Sequence, residues 1–243
     1  MKKFLILVLV IASSLTFAQE SVLLRLKYNK GDKYAFKMKQ TLDSSVGMKA
    51  TNIDMISKIT DVSNDLFTSE TKIDKMKIDT DIGLFPVSFD SSKEDSELDE
   101  IGLMLKQQMS PMLQMIITTK SNVHGKVMDV KVTPDSPMTA QFKNQFNVVF
   151  PEKPVKVGDT WIDETAQQGL KNVIEYKVTS ITSEKVVLTL TGNVTGQATG
   201  TATSGSVEID RASGALLKSL INNNINAGGQ EVKVGIELTM EKI

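Results

Sequence analysis

The sequence predicts a mainly β, α+β fold: a strongly curved antiparallel sheet or half-barrel in two meandering halves, with one or two helices on one face. Three observations lead there. The hydrophobic period is two along most of the chain, short turn signals divide the alternating runs, and one strong helical pattern interrupts them.

The chain opens MKKFLILVLVIASSLTFAQE. Lys2 and Lys3 precede an apolar run from Phe4 to Ile11, and small residues follow at Thr16 and Ala18, the layout of an export signal. Residues 1–18 are therefore expected to be a signal peptide. Residues 19–243 are expected to form a β-rich domain, either a single unit or two halves joined near 147–161. The apolar run is far shorter than the roughly 20 residues needed to cross a bilayer, and no later segment approaches that length. No transmembrane segment is expected in the mature chain, whose place is the periplasm, the outer cell surface or the medium.

The first strand pattern places Tyr34, Phe36 and Met38 opposite Lys33, Lys37 and Lys39. Ile174, Tyr176 and Val178 oppose Glu175, Lys177 and Thr179, and Val232, Val234, Ile236, Leu238 and Met240 alternate with polar residues at the end of the chain. One buried and one wet face is the mark of antiparallel sheet, because a parallel sheet covered on both sides reads as continuously apolar. Longer strands are expected from Met48 to Thr60 and from Leu66 to Thr80. Alternation breaks in the second, which calls for a bulge or an edge. Turns are expected at Asn29-Lys30-Gly31-Asp32, separating the first two strands, at His124-Gly125, and at Asp210 to Gly214.

Two segments depart from period two. Between Ser91 and Ile116 acidic residues crowd the start, and Leu98, Ile101, Leu105, Met109, Met112 and Ile116 recur at spacings of three and four. That predicts an amphipathic helix with its first turns favourably charged, either kinked at Pro111 or divided there into two. A second, weaker helix is expected from Asp135 to about Phe146, with Pro137 in its first turn and Met138, Phe142 and Phe146 on one face. The uncharged Thr/Gly-rich tract from Val186 to Val207 reads as a pair of strands with one thin face. The alternative is that its small side chains let the sheet curve tightly or line a cavity.

The stretch from Asn147 reads NVVFPEKPVKVGDTW and ends on the only tryptophan. Pro151 and Pro154 hold the residues before them extended, Gly158-Asp159 turns the chain, and Trp161 is delivered to the sheet. A rigid connector pinning an aromatic anchor is the packing reading, and a ligand-stacking tryptophan is the functional one. This motif, with LRLKYNKGDKY near the start and the absence of cysteine, resembles an uncharacterised family of secreted proteins of Bacteroidota, a domain of unknown function. The resemblance implies an envelope location and a β-rich fold, and no activity. The layout alone has a fainter likeness to half-barrel carriers that ferry lipid or lipoprotein across the periplasm.

Without Lys2 and Lys3 the formal charge moves from −1 to −3, and basic residues are scattered without clustered aromatics. Nucleic acid is not an expected partner. With no cysteine and one histidine, His124 in a turn, disulfides, thiol catalysis and the usual zinc sites are excluded. Glu97, Asp99 and Glu100 sit where a helix start wants acidic residues, so no catalytic constellation, metal or cofactor is expected. Met104, Met109, Met112 and Met115 form a cluster of adaptable thioethers. Core filling where a helix meets a sheet is its ordinary role. The functional alternative is an adaptable wall over an apolar pocket, with Met104, Leu105, Met109, Met112, Met115 and Trp161 as ligand-binding residues. The expected protein is a non-enzymatic envelope protein taking an apolar or lipid-like ligand. The competing expectation is a structural protein that docks onto an envelope protein partner through its sheet.

Overall fold

The computed structural model describes residues 20–45, 47–82, 86–136, 139, 147–167, 170–195, 201–227 and 230–243. The N-terminal half holds β1 (Ser21–Val22), β2 (Lys33–Ser44), β3 (Gly47–Ser63), β4 (Leu66–Ile82) and β5 (Val87–Asp90), then a 3-10 turn (Asp95–Glu97), α1 (Glu100–Leu113), β6 (Ile116–Asn122) and β7 (Val127–Thr133). The C-terminal half holds β8 (Val155–Lys156), β9 (Thr160–Gln167), β10 (Leu170–Ile181), β11 (Lys185–Thr195), β12 (Thr201–Asp210), β13 (Leu216–Ala227) and β14 (Gln230–Lys242).

The main sheet is antiparallel, in the order β7-β6-β4-β3-β2-β14-β13-β12-β11-β10-β9, with β5 also on β4. Each half is a meander, as expected. The seam pairs the first long strand with the last: Met38 lies opposite Leu238 and Phe36 opposite Met240. Alternation in β4 breaks because Asp74 is an extra residue, Asp54 pairing with Lys75 and Met55 with Ile73. A second bulge leaves out Thr60 in β3. Both increase local twist and bend their strands. Asn64 and Asp65, both with positive φ, close the β3–β4 hairpin in the geometry that suits right-twisted strands.

Curvature follows from where the two edges of the sheet meet. Laid flat, these eleven strands at about 4.8 Å per pair would hold β7 and β9 roughly 48 Å apart. Instead, the β6–β7 turn and β9 grip the same short connector. Phe150 N–H donates to the His124 carbonyl at 2.8 Å, and the Trp161 indole N–H donates to the Val149 carbonyl at 2.8 Å. The sheet is bent round on itself without closing into a barrel, and β7 and β9 do not pair.

A strap from Glu20 to Asp32 fastens this end. The expected strand before the Asn29 turn is not formed beyond Ser21–Val22, which pairs with β8. The cause is where its amides go: Leu26 N–H donates to Val123 in one half and Lys27 N–H to Ser213 in the other, both at 2.8 Å. Bonds scattered over two hairpin turns cannot make a ladder. The Arg25 guanidinium donates to the carbonyls of Pro151 and Glu152, each at 2.7 Å, tying strap to connector. Gly214, at φ +70°, is required here because a Cβ would collide with the Arg25 carbonyl.

Where the strap turns into β2, Asp32 accepts from Lys242 at 2.7 Å and from Asn29 N–H at 3.0 Å. The Lys242 hydrogen bond, then that of Asn29, holds its carboxyl below the usual aspartate range. A lowered carboxyl contributes stability that is complete above the unfolded value of about 3.9 and is lost as pH falls through the folded value. Urea midpoints of the native chain and Asp32→Asn should therefore differ at pH 7 and converge as pH falls below about 4. A constant gap would show that the carboxylate is not the cause.

Three apolar clusters lie on one face. The largest spans β10 to β13 with Val22, Leu24, Phe150 and Val155 from the strap and connector. A second, under α1, contains Ile53, Ile73, Met76, Met115, Ile117 and Val132. The third gathers Tyr34, Ile59, Ala215 and Met240 near the turns. The helix is shorter than the predicted Leu98–Ile116, because Asp99 caps it through Gly102 N–H at 2.7 Å and Ile116 already belongs to β6. Pro111 stands in its last turn, where the helix continues to Leu113 as one piece. The second predicted helix lies outside the described residues, apart from Asp135, Ser136 and Thr139 at its start.

Candidate functional site

Register assigns the side chains that share the inner face. One row runs Trp161, Tyr176, Leu190, Gly205 and Ile221 across the C-terminal half. It continues over the seam as Ile236, Gln40, Thr51, Ile78 and Phe89. The next row is Val178, Leu188, Val207 and Ser219, then Leu238, Met38, Ile53 and Met76. Both clusters at the ends of these rows are on this face, so helix, strap and connector all cover the same side.

Burial changes along the rows. Val178, Leu188 and Val207 are completely inaccessible at one end, and Ile53 and Met76 are buried at the other. Between them Met38, Leu42, Val234, Ile236 and Leu238 are partly exposed. These residues form an apolar floor on β2 and β14 between the two cores: Met38 packs against the helix-capped core and Ile236 against the strap-capped one, while Leu42, Val234 and Leu238 belong to neither. The opposite face is wet, with Lys218 bound to Glu237 at 2.8 Å and Lys185 to Glu208 at 2.7 Å.

The six ligand-binding residues expected from sequence separate into two groups. Met109 and Met112 pack on the cluster that buries Met115, where they fill the space between helix and sheet. Leu105 is partly buried, while Met104 is 59% exposed and joins Ile101 and Leu103 on the outer side of α1. Trp161 belongs to the other core, stacked on Tyr176 with centroids 5.3 Å apart at 21°. The floor residues were visible as one apolar face of the last strand. That they stay partly exposed between two cores was not, because alternation records which face avoids water and not what meets it.

The polar groups near this face have identifiable roles. His124 faces the Phe150 carbonyl through Nδ1 at 3.2 Å, so that nitrogen carries the proton and the ring braces the turn. Asp99 caps α1, and Glu97 accepts from Glu94 N–H at 2.9 Å, so both are engaged at the helix start. Among the described residues no group of three or more His, Asp or Glu could hold a metal. Burial raises the Asp163 carboxyl, and burial with the Asp163 charge raises the Tyr176 phenol.

The Tyr176 and Ser219 hydroxyls are buried without a hydrogen-bond partner among the described residues. A buried hydroxyl left unpaired costs about 1–3 kcal/mol. Tyr176→Phe keeps the stack on Trp161 and removes that cost. It should leave stability unchanged or raise it by about 1 kcal/mol in urea denaturation. A clear loss would mean that the hydroxyl has a partner in solution.

The fold and this face define a class: an open, wrapped antiparallel sheet whose concave side is apolar. Residues 133–228 match a family of unknown function, DUF6263. The match contains the connector, Trp161 and β9 to β13. No curated protein matches the chain. A solved structure described as "lipid-protein interactions in lipovitellin" superposes with a TM-score of 0.52 at 9% identity, covering 88% of this chain. The chain spans about a quarter of that chain's length, the coverage there being 25%, and the likeness is one of fold. Among the described residues no helix is long and apolar enough to cross a membrane.

Proposed function

We propose that this chain is a non-enzymatic, exported envelope protein that binds an apolar or lipid-like ligand on the inner face, between the Met-rich helix and the strap. The observation that carries the reading is the floor of Met38, Leu42, Val234, Ile236 and Leu238, apolar, partly exposed and flanked by two filled cores. Each ligand methylene removed from water there gains about 0.8 kcal/mol. Met109 and Met112 at the helix margin supply side chains that adapt to a variable shape. The fold likeness to lipovitellin is consistent with this use, and the MKKFLILVLVIASSLTFA opening supports export.

Titration of the purified chain with N-phenyl-1-naphthylamine tests it. Saturable fluorescence enhancement is expected, with affinity reduced at least about tenfold in Val234→Asp, since an unpaired carboxylate on the floor must be desolvated by the probe. Val234 is partly exposed and lies outside the three clusters, which should let the variant keep its fold, checked by circular dichroism. No saturable signal in the native chain, or equal binding by the folded variant, overturns the reading. A second reading is favoured by the sheet edges: β7 and β9 lack an outer partner among the described residues, and Met128 and Ile162 on them are 56% and 60% exposed. Such edges accept a strand from another envelope protein. Crosslinking in intact cells would then yield a stoichiometric partner.

A further inference from the structure

The inner face carries a polar pair that the packing does not explain. On the four central strands β4, β3, β2 and β14, the two rows described above contain Ile78, Thr51, Gln40 and Ile236, then Met76, Ile53, Met38 and Leu238. Gln40 and Thr51 are the polar members, and they are register partners, directly opposite each other. Both are partly buried, and neither side chain makes a hydrogen bond among the described residues. Their surroundings are Ile236 across the seam, Ile78 across β4, and Met38, Leu42 and Ile53 along their own strands.

We infer that Gln40 and Thr51 form a hydrogen-bonding subsite for an uncharged polar group, an ester, amide or hydroxyl, attached to the acyl chain of the ligand. The inference rests on the binding function proposed above and specifies its ligand class. While the floor is wet, water satisfies the amide and the hydroxyl. A ligand that covers the floor expels that water, and each group then needs a new partner or costs about 1–3 kcal/mol. A pure hydrocarbon brings none. A ligand with a carbonyl or hydroxyl at this point restores the bonds: the Gln40 amide N–H and the Thr51 O–H donate to a carbonyl, and the Gln40 carbonyl accepts from a hydroxyl.

The absence of charge from these rows decides the sign of the polar group. No Lys, Arg, Asp or Glu stands in either row on β4, β3, β2 and β14. A carboxylate or ammonium held at Gln40 would be desolvated without a counter-ion there. Lys49 is the charge to consider, two residues from Thr51 on β3 and exposed. If it directed binding, an anionic lipid would win. A neutral acylglycerol is favoured if the pair does.

Displacement of N-phenyl-1-naphthylamine by three competitors that share a ten-carbon chain separates these outcomes: monodecanoylglycerol, decanoate and decane. The native chain is expected to prefer monodecanoylglycerol at least about tenfold over both others, equivalent to about 1.4 kcal/mol. In Gln40→Leu/Thr51→Val the preference over decane should fall to about onefold while the probe still binds. The near-isosteric single Thr51→Val gives a partial loss and serves if the double variant does not fold. Decane or decanoate competing as well as the glyceride, or a preference retained in the variants, overturns the subsite and leaves the binding function standing. Failure of the native chain to bind the probe removes both.

Discussion

Trp161→Ala is expected to lower the unfolding free energy by about 3 kcal/mol, the lower end for truncating a large aromatic because the ring is only partly buried. Two losses add. The indole face covers Tyr176, which has no accessible surface, and an alanine would leave that ring facing a void or water. The indole N–H also satisfies the Val149 carbonyl at 2.8 Å, in the connector that joins β9 to the β6–β7 turn. Trp161→Phe separates the two: it keeps a ring over Tyr176, loses the hydrogen bond, and should cost about 1 kcal/mol beyond the lost area. Urea unfolding followed by circular dichroism measures both, since removing the only tryptophan removes the tryptophan emission. Equal small effects, below about 0.5 kcal/mol, would mean that the ring is a surface ornament and not an anchor.

That anchor was legible in the sequence because its causes are local. Pro151, Pro154 and Gly158 fix the path of the connector by themselves, and Gly158 does take a positive φ of +95° with Asp159 closing the turn onto Lys156. Period two was legible for the same reason: each strand records its own wet and dry faces, and Glu231 to Met240 could be assigned without knowing any neighbour. What could not be read was pairing over long distance. Nothing in KYAFKMK says that its partner is the C-terminal strand, 200 residues away in places, so the seam and the single continuous sheet emerged only from the register. The strap was misread because LRLKY alternates like a strand, while its amides go to turns whose positions depend on the finished fold. Of the methionine cluster, Met104, Met109 and Met112 stand on α1 and Met115 just past its end, while Trp161 was grouped with them without any sign of the distance between them. Met109, Met112 and Met115 pack in one core and Trp161 against the other, and sequence spacing carries no distance between cores.

The same geometry makes the floor dependent on residues that never touch it. Its width is set by how far the sheet bends, and the bend is held by the bonds at one end: Leu26 to Val123, Lys27 to Ser213, Arg25 to the connector, and the connector to His124 and Trp161. Bulges at Asp74 and Thr60 and the glycine at 205, where a Cβ would strike the Leu220 carbonyl, lower the cost of bending. None of these opposes an opening of the edges by itself. Resistance to opening comes from the strap and connector, so binding on the inner face and stability at the fastened end should be coupled.

Leu24 tests that coupling. It is 2% exposed in the largest core, with Arg25 and Leu26 holding the strap on either side, so Leu24→Ala is expected to cost about 2–5 kcal/mol. Leu24→Asp should cost more, because its carboxylate would meet an apolar pocket with no cation described within it. Leu23 is the control: one residue earlier, 47% exposed and facing the other way, its change to Asp should stay within about 0.5 kcal/mol. Hydrogen exchange should show the loss beginning at the amides of Leu26, Lys27 and Phe150, whose acceptors lie across the two halves, before β13 and β14 are affected. If strap release lets the sheet unbend, Leu24→Ala should also weaken N-phenyl-1-naphthylamine binding under conditions where the chain remains folded, although no strap residue belongs to the floor. A folded Leu24→Ala chain with native probe affinity would separate the fastening from the binding face and show that β2 and β14 hold their curvature without it.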